Sequence, residues 1–124
     1  MVILQFGITS IGPIRDTLFP TIFPSVLVEL TNNQRSQNQL NTLKISPLLQ
    51  MAAQMKADDM AKKGYFSHNT PEGKTPWYWI KKAGYRYLSA GENLAVKFSE
   101  SENVEAAWME SALHRANILS PKYT

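Results

Sequence analysis

The chain of 124 residues contains no cysteine. This absence excludes a disulfide-stapled scaffold, a thiol nucleophile and a thiolate metal site. It does not exclude export, because a domain with an adequate apolar core folds without disulfides. Apolar residues make up 44% of the chain, including five Phe, five Tyr and three Trp. The composition therefore predicts one globular domain with a real core.

Charged residues are also few, at 19% of the chain, which excludes a disordered or coiled-coil protein. Thirteen basic and ten acidic residues give a net charge of +3. Lys81, Lys82 and Arg86 lie among tyrosines, a pattern found in nucleic-acid-binding proteins. Because these cations lie beside Gly84, they are better explained as favourable charges at a helix C-terminus. We predict no nucleic-acid partner.

A long hydrophobic run and a basic start are both missing from the N-terminus. Residues 1–12 are mostly apolar, but no Lys or Arg precedes Arg15. A signal peptide has a basic start, and a membrane span needs roughly 18 or more apolar residues. We therefore predict no transmembrane span. Residues 1–24, which contain three prolines, are predicted to form an irregular leader, a tether or the remnant of a targeting or anchoring segment, and residues 25–124 the domain.

Helix signals dominate the domain. These signals are N-cap residues, prolines in the first turn and glycines after the last turn. They predict helices over 26–37, 48–63 and 77–82. A fourth helix is predicted from the Ser99–Glu102 capping box toward His114. One strand is predicted over 94–98. Because a lone strand leaves its backbone groups unpaired, further strands are expected.

The residues that could carry chemistry are His68, His114 and Glu92. Taken singly, each has a structural explanation. A loop histidine is more often a hydrogen-bonded structural residue, and a glutamate can cap backbone N–H groups. The residues alone allow only that two histidines and one carboxylate converge.

Three sequence blocks resemble the signature blocks of the CAP superfamily (cysteine-rich secretory, antigen 5 and pathogenesis-related 1 proteins) of the bacterial type. The blocks are GYFSH at 64–68, AGENLA at 90–95, and AWMES running into HRANIL between 107 and 119. The resemblance covers roughly 26–124. It implies an α+β fold, an α-β-α sandwich with a central cleft, that is helix-rich here because the family's closing strands would follow Thr124.

The resemblance also implies site residues. Two histidines and two acidic residues line the family's cleft, and in some members the histidines bind zinc or another divalent cation. His68, Glu92 and His114 match three of these positions, with His68 and His114 as the tentative metal ligands. The fourth position, an acid in many members, falls on Asn103.

Glu110 is a candidate substitute for the missing acid. Many bacterial relatives carry Pro-Gly before the second histidine, whereas this chain has Ala112-Leu113, which allows the helix to continue. On a continuous helix, Asn103, Glu110 and His114 share one face. We hypothesise that Glu110 partners His114, but we favour the alternative that it is simply exposed, because glutamate is seldom buried.

Three functions follow from the resemblance. The favoured one is a non-enzymatic extracytoplasmic module that binds a lipid, a glycan or a cell-envelope component, with an optional Zn²⁺ or other divalent cation. The second is a metal-assisted hydrolase or peptidase that uses Glu92 as base and the histidines as ligands. The third is a structural or interaction domain whose His/Glu set is a satisfied polar network. No serine is marked as a nucleophile with a base and an orienting acid.

Overall fold

Five helices and two short strands make up the described part of the chain. The computed structural model describes the backbone of Val2–Gly7 and residues 22–124. In chain order the elements are β1 (Val2–Gly7), α1 (Pro24–Gln37), α2 (Pro47–Lys63), α3 (Trp77–Lys82), β2 (Gly91–Val96), α4 (Ser101–Glu110) and α5 (Ala112–Ile118). None of the helices in this part is long and apolar enough to cross a membrane.

The predicted strand has a partner. Strand β2 pairs in parallel with β1, with Gly91 opposite Val2 and Val96 opposite Gly7. It begins three residues before the predicted start and ends two residues before the predicted end. The first residues of the predicted leader therefore join the sheet through their backbone, and residues 8–21 of that leader lie outside the described residues.

Helices α2 and α3 confirm the signals that predicted them. Ser46 is the N-cap of α2, Pro47 occupies its first turn, and Gly64 ends it in the left-handed region at a φ of 69°. This conformation suits glycine because it lacks a Cβ. Helix α3 spans the predicted residues, and Gly84 follows it at a φ of 82°.

Two predicted caps are wrong. The sequence predicts Ser25 as the N-cap of a helix from Val26, whereas α1 begins at Pro24 with Phe23 as its N-cap, because proline itself suits the first turn. Helix α4 begins at Ser101 with Glu100 as its N-cap, so the predicted capping box does not open it. The buried Ser101 instead accepts a hydrogen bond at its Oγ from the Phe23 amide at 3.0 Å, which links the starts of the two helices.

Two hydrophobic clusters define the layers. One joins α2 to α3 through Leu49, Ala52, Ala53, Trp79 and Ile80. The other joins α1, β2, α4 and α5 through Leu27, Ala95, Val104, Trp108 and Ile118. Helix α2 packs against β1, and α5 packs against β2. Strand β2 is buried along nearly its whole length, as expected for a strand covered on both faces. This arrangement confirms the α+β class with helices on both sides of the strands.

Arg35 ties the end of the chain to α1. Its side chain is fully buried, although the polar, amide-rich sequence of 31–39 predicts a solvated outer face for this part of α1. Its guanidinium donates to the backbone carbonyl oxygens of Asn41 at 2.7 Å, Ile118 at 2.8 Å, Ser120 at 2.8 Å and Tyr123 at 2.9 Å. Five N–H groups in a fixed fork suit this task, and a lysine could not reach four acceptors.

A buried carboxylate connects α4 to α1. Glu105 is 4% exposed and accepts a hydrogen bond at Oε2 from the Thr31 hydroxyl at 3.2 Å. No described residue donates to its other oxygen, Oε1. Burial raises the pKa of Glu105 to about 7, opposed by the hydrogen bond from Thr31. The core therefore favours the protonated acid.

Replacing Arg35 by methionine should destabilise the fold by about 3–5 kcal/mol, because buried carbonyl groups lose a charged donor. Chemical denaturation would measure the free energy of unfolding. Arg86→Met is the matched control, since Arg86 is exposed. Equal stability of the two variants would contradict the role assigned to Arg35.

Glu105→Gln should flatten the dependence of stability on pH. The native pKa of about 7 lies above the usual 4.5, so the folded state retains a proton that the unfolded state releases. Stability from this group is therefore present at low pH and is lost as the pH rises through about 7, by at most about 3 kcal/mol. Thermal melts across this range would test it. The control Glu102→Gln, on the exposed face of α4, should keep the wild-type slope; an unchanged slope in Glu105→Gln would refute the prediction.

Candidate functional site

The three residues of the resemblance line one cavity. Its volume is about 510 Å³, and its walls come from the loop after α2, the start of α3, the start of β2 and helix α5. Its lining includes His68, Trp77, Glu92, Leu113, His114 and Asn117. The structure thus brings His68, Glu92 and His114 together from three separate parts of the chain.

His68 and Glu92 form a short hydrogen bond. The distance from His68 Nδ1 to Glu92 Oε1 is 2.6 Å. The Glu92 side chain is 2% exposed, whereas that of His68 is 57% exposed. An ionised glutamate only accepts hydrogen bonds, so the imidazole donates through Nδ1, and its Nε2 is an acceptor when the ring is neutral and a donor when it is protonated. The buried carboxylate thereby fixes both the tautomer and the orientation of an accessible ring.

The second oxygen of Glu92 lacks a partner among the described residues. Oε2 is buried, and no described residue donates a hydrogen bond to it. Burial raises the pKa of Glu92, opposed by the hydrogen bond from His68 and by the positive charges of His68 and Lys56. A buried acceptor without a donor is energetically costly, so a ligand that supplies a donor here would be stabilised.

Lys56 lies beneath the site, and sequence analysis missed it. It is fully buried on α2, and its Nζ donates to the His68 carbonyl oxygen at 2.8 Å and contacts Tyr65 Oη at 3.4 Å. Burial lowers the pKa of Lys56, partly offset by the charges of Glu92 and Asp59. The available signal was its spacing of four residues from the buried Met60, which places it on the inner face of α2. Lys56 holds the loop that presents His68.

A pair of asparagines fixes the other wall, and these residues were also missed. Asn93, fully buried, donates to the His114 carbonyl oxygen at 3.2 Å. Asn117 donates to Asn93 Oδ1 at 2.8 Å and to the Glu92 carbonyl oxygen at 3.2 Å. Both residues stand inside the sequence blocks that carry the resemblance, next to Glu92 and three residues after His114. Together they lock α5 onto β2.

His114 is half-buried in the same cavity. Its ring centroid lies 6.4 Å from that of Trp108. Burial lowers the pKa of His114, and the nearby charge of His68 lowers it further. The imidazole of His114 is thus favoured in its neutral form, which can accept or donate a hydrogen bond.

The predictions for Glu110 and Asn103 differ from the structure. Helix α4 ends at Glu110, because Ser111 adopts an extended conformation (φ −80°, ψ 121°) and α5 starts afresh at Ala112. The predicted continuous helix is therefore wrong, and the shared face with His114 is lost. Glu110 is exposed, as the favoured alternative predicts, and does not line the cavity. Asn103 is exposed as well and donates to Glu100 Oε2 at 3.3 Å.

Comparison with known proteins identifies the family. The family model described as "CAP: Cysteine-rich secretory protein family" matches residues 28–124. The chain belongs to the CAP family. It is 42% identical over 98 residues to the uncharacterized protein YkwD of Bacillus subtilis (strain 168). That match covers 79% of this chain and 38% of YkwD, and no solved structure matches the chain.

The donor set of this CAP domain does not fit a tightly held metal. A zinc site takes three or four protein ligands. In the described part of the chain, no group of three or more His, Cys, Asp or Glu side chains could hold a metal ion. His68 and His114 would supply two imidazoles. Glu92 would orient His68 through its hydrogen bond to Nδ1 rather than bind the metal ion itself. Their role as metal ligands stays a prediction.

Gly91 of the CAP block allows a close approach of the chain's end. A Cβ added at Gly91 would lie 2.8 Å from the Tyr123 hydroxyl oxygen and 3.0 Å from Asn117 Oδ1. Both atoms belong to groups that are held in place, since Tyr123 is buried and Asn117 is bonded to β2. A glycine is needed here for space rather than for a left-handed backbone.

Gly91→Ala should lower the stability by about 1–3 kcal/mol, because the methyl group overpacks a fixed contact. Removing the hydroxyl in Gly91→Ala/Tyr123→Phe should restore part of the loss. Thermal denaturation of the two single variants and the double variant would measure the coupling. Strictly additive effects would contradict the close approach.

Proposed function

We propose that this CAP domain is a non-enzymatic extracytoplasmic binding module, and that its cavity takes a hydroxyl-bearing ligand such as a sugar unit of an envelope glycan. One observation carries the proposal: Glu92 lines the cavity, and its buried carboxylate oxygen Oε2 has no donor among the described residues. A sugar hydroxyl supplies that donor. The accessible His68 ring beside it offers Nε2 to a second hydroxyl, which it accepts from when the ring is neutral and donates to when the ring is protonated.

The remaining walls suit a sugar better than a lipid tail. Trp77 is 38% exposed and Leu113 is 82% exposed, and both line the cavity. They provide apolar surface for the C–H face of a sugar ring, while Glu92, His114 and Asn117 provide polar atoms. A few placed polar groups among apolar ones are typical of sites for small ligands. A lipid tail would leave these polar groups without partners.

The extracytoplasmic location belongs to the same proposal. It is supported by the family's description as secretory proteins. A satisfied structural network, the third function considered above, is disfavoured because one carboxylate oxygen has no donor in the described part of the chain.

Hydrolysis is the second candidate, and the His68–Glu92 pair favours it. A carboxylate that orients an imidazole is one part of many general-base sites. In this arrangement His68 would be the base that activates a water molecule. Glu92 would orient the His68 ring instead of acting as the base itself. Ser111 also lines the cavity, but the site offers no base–nucleophile hydrogen bond to Ser111 in the described residues.

Glu92→Gln should weaken binding of a neutral chito-oligosaccharide by about tenfold or more, since hydrogen bonds to a charged acceptor contribute about 1.5–3 kcal/mol. Isothermal titration calorimetry would measure the dissociation constants, with circular dichroism to confirm the fold. Glu102→Gln, an exposed change of the same chemistry, should bind like the wild type.

Two results would overturn the proposal. One is unchanged sugar binding in Glu92→Gln. The other is release of shorter sugars by the wild type, lost in His68→Ala, which would make the domain a hydrolase.

A further inference from the structure

A second groove adjoins the cavity. Its volume is about 590 Å³, and it shares Thr75 and Trp77 with the cavity. Its other walls come from α3 and from the loops on either side of that helix. Since Trp77 lines both spaces, a chain-like ligand could pass from one to the other across its ring.

Aromatic rings face this groove. Trp77 and Tyr87 pack against each other with centroids 6.3 Å apart and planes tilted by 45°. They are 38% and 40% exposed, respectively, and Tyr78 and Tyr85 add further ring surface. Clustered exposed aromatic side chains on a soluble domain are typical of a binding surface.

The charges of the groove are all positive. Lys74, Lys81 and Arg86 line it, and no acidic residue does so among the described residues. Lys74 Nζ lies 4.3 Å from the centroid of the Tyr78 ring. Lys81 and Arg86 are exposed and form no salt bridge with the described residues. Three cations without counter-charges favour an anionic ligand.

We propose that this groove binds an anionic polysaccharide. The C–H faces of the sugar rings would contact Trp77 and Tyr87, and the carboxylate or phosphate groups would pair with Lys74, Lys81 and Arg86. The groove is distinct from the Glu92 cavity, so this inference goes beyond the proposed function. It holds even where the cavity takes another ligand.

The observations favour a glycan over a nucleic acid. A protein that contacts about six to ten phosphates of DNA uses roughly two to three times as many charges as the three cations of this groove. The rings of Trp77 and Tyr87 are also tilted against each other rather than arranged as separate parallel platforms for successive bases. Ring contact combined with three cations matches a sugar chain that carries acidic groups.

Binding of a short oligogalacturonate to the whole chain would test the proposal. The double variant Lys81→Glu/Arg86→Glu should weaken binding by about tenfold or more, and Tyr87→Ala should weaken it without changing the net charge. The matched control is Lys62→Glu/Lys122→Glu, which makes the same charge change at exposed residues outside the groove. Added salt should also weaken binding.

Comparison ligands make each outcome decisive. The methyl-esterified oligogalacturonate should bind much more weakly, because it keeps the rings and loses the charges. Polyglutamate should bind weakly because it lacks sugar rings. The proposal would be overturned by an equal loss of oligogalacturonate binding in the control variant. It would also be overturned if the ester or polyglutamate bound as tightly as oligogalacturonate, or if a single-stranded thymidine oligomer bound more tightly through the same residues. The cavity is probed with the neutral chito-oligosaccharide, which lacks the charges that the groove requires, so failure here and failure of the sugar site in the cavity are measured with different ligands and can be told apart.

Discussion

The arrangement of the site depends on the buried guanidinium of Arg35. It gathers four backbone carbonyl groups from the loop after α1 and from the segment 118–123. This fixes the end of α5 on α1 and places Tyr123 beside Gly91. Because His114 and Asn117 belong to α5, one side of the cavity is held by a residue that does not touch it.

Strand β2 lies between the two sides of the cavity, the loop that carries His68 and helix α5. On one side the buried amine of Lys56 holds the carbonyl group of His68, whose ring reaches Glu92. On the other side Asn93 and Asn117 connect the strand to α5. Neighbouring residues of β2 thus serve opposite layers, as alternation along a strand requires. This explains how short stretches of sequence far apart in the chain converge on one cavity.

Sequence reasoning found the elements whose signals are local. The proline start and glycine end of α2 and the bounds of α3 are set by backbone preferences that a few residues display. It did not find the strand pairing of β1 with β2, because pairing between distant segments leaves no local mark. The expected continuation of α4 to His114 failed for a related reason. Ser111 is extended and is the N-cap of α5, and its carbonyl oxygen accepts a hydrogen bond from the Arg115 amide at 2.8 Å. The sequence Ala112-Leu113 permits a helix but does not determine where the helix begins.

The site shows the same division. His68, Glu92 and His114 stand in recognisable blocks, and the fold brings them to one cavity. Lys56 and Arg35 stand in stretches that read as ordinary polar helix surface, and only the packing of other elements buries them. A buried cation is therefore a property of the tertiary structure, since the same residue on an isolated helix would be solvated.

The contrast between Glu92 and Glu105 shows why an unpartnered carboxylate oxygen is not enough to identify a site. Both side chains are buried, both have raised pKa values because of burial, and each has one oxygen without a donor among the described residues. Glu105 has a neutral partner in Thr31 and lies between α1 and α4, away from the cavity lining, so protonation relieves its burial. Glu92 has an imidazole partner and the nearby charge of Lys56, both of which favour its ionised form, and it lines an open cavity. An ionised carboxylate beside a cavity can gain a donor from a ligand, whereas protonation removes the buried charge of an acid in the core without any ligand. The physical difference between the two glutamates is thus the charge of their surroundings and their access to a ligand, and it singles out Glu92.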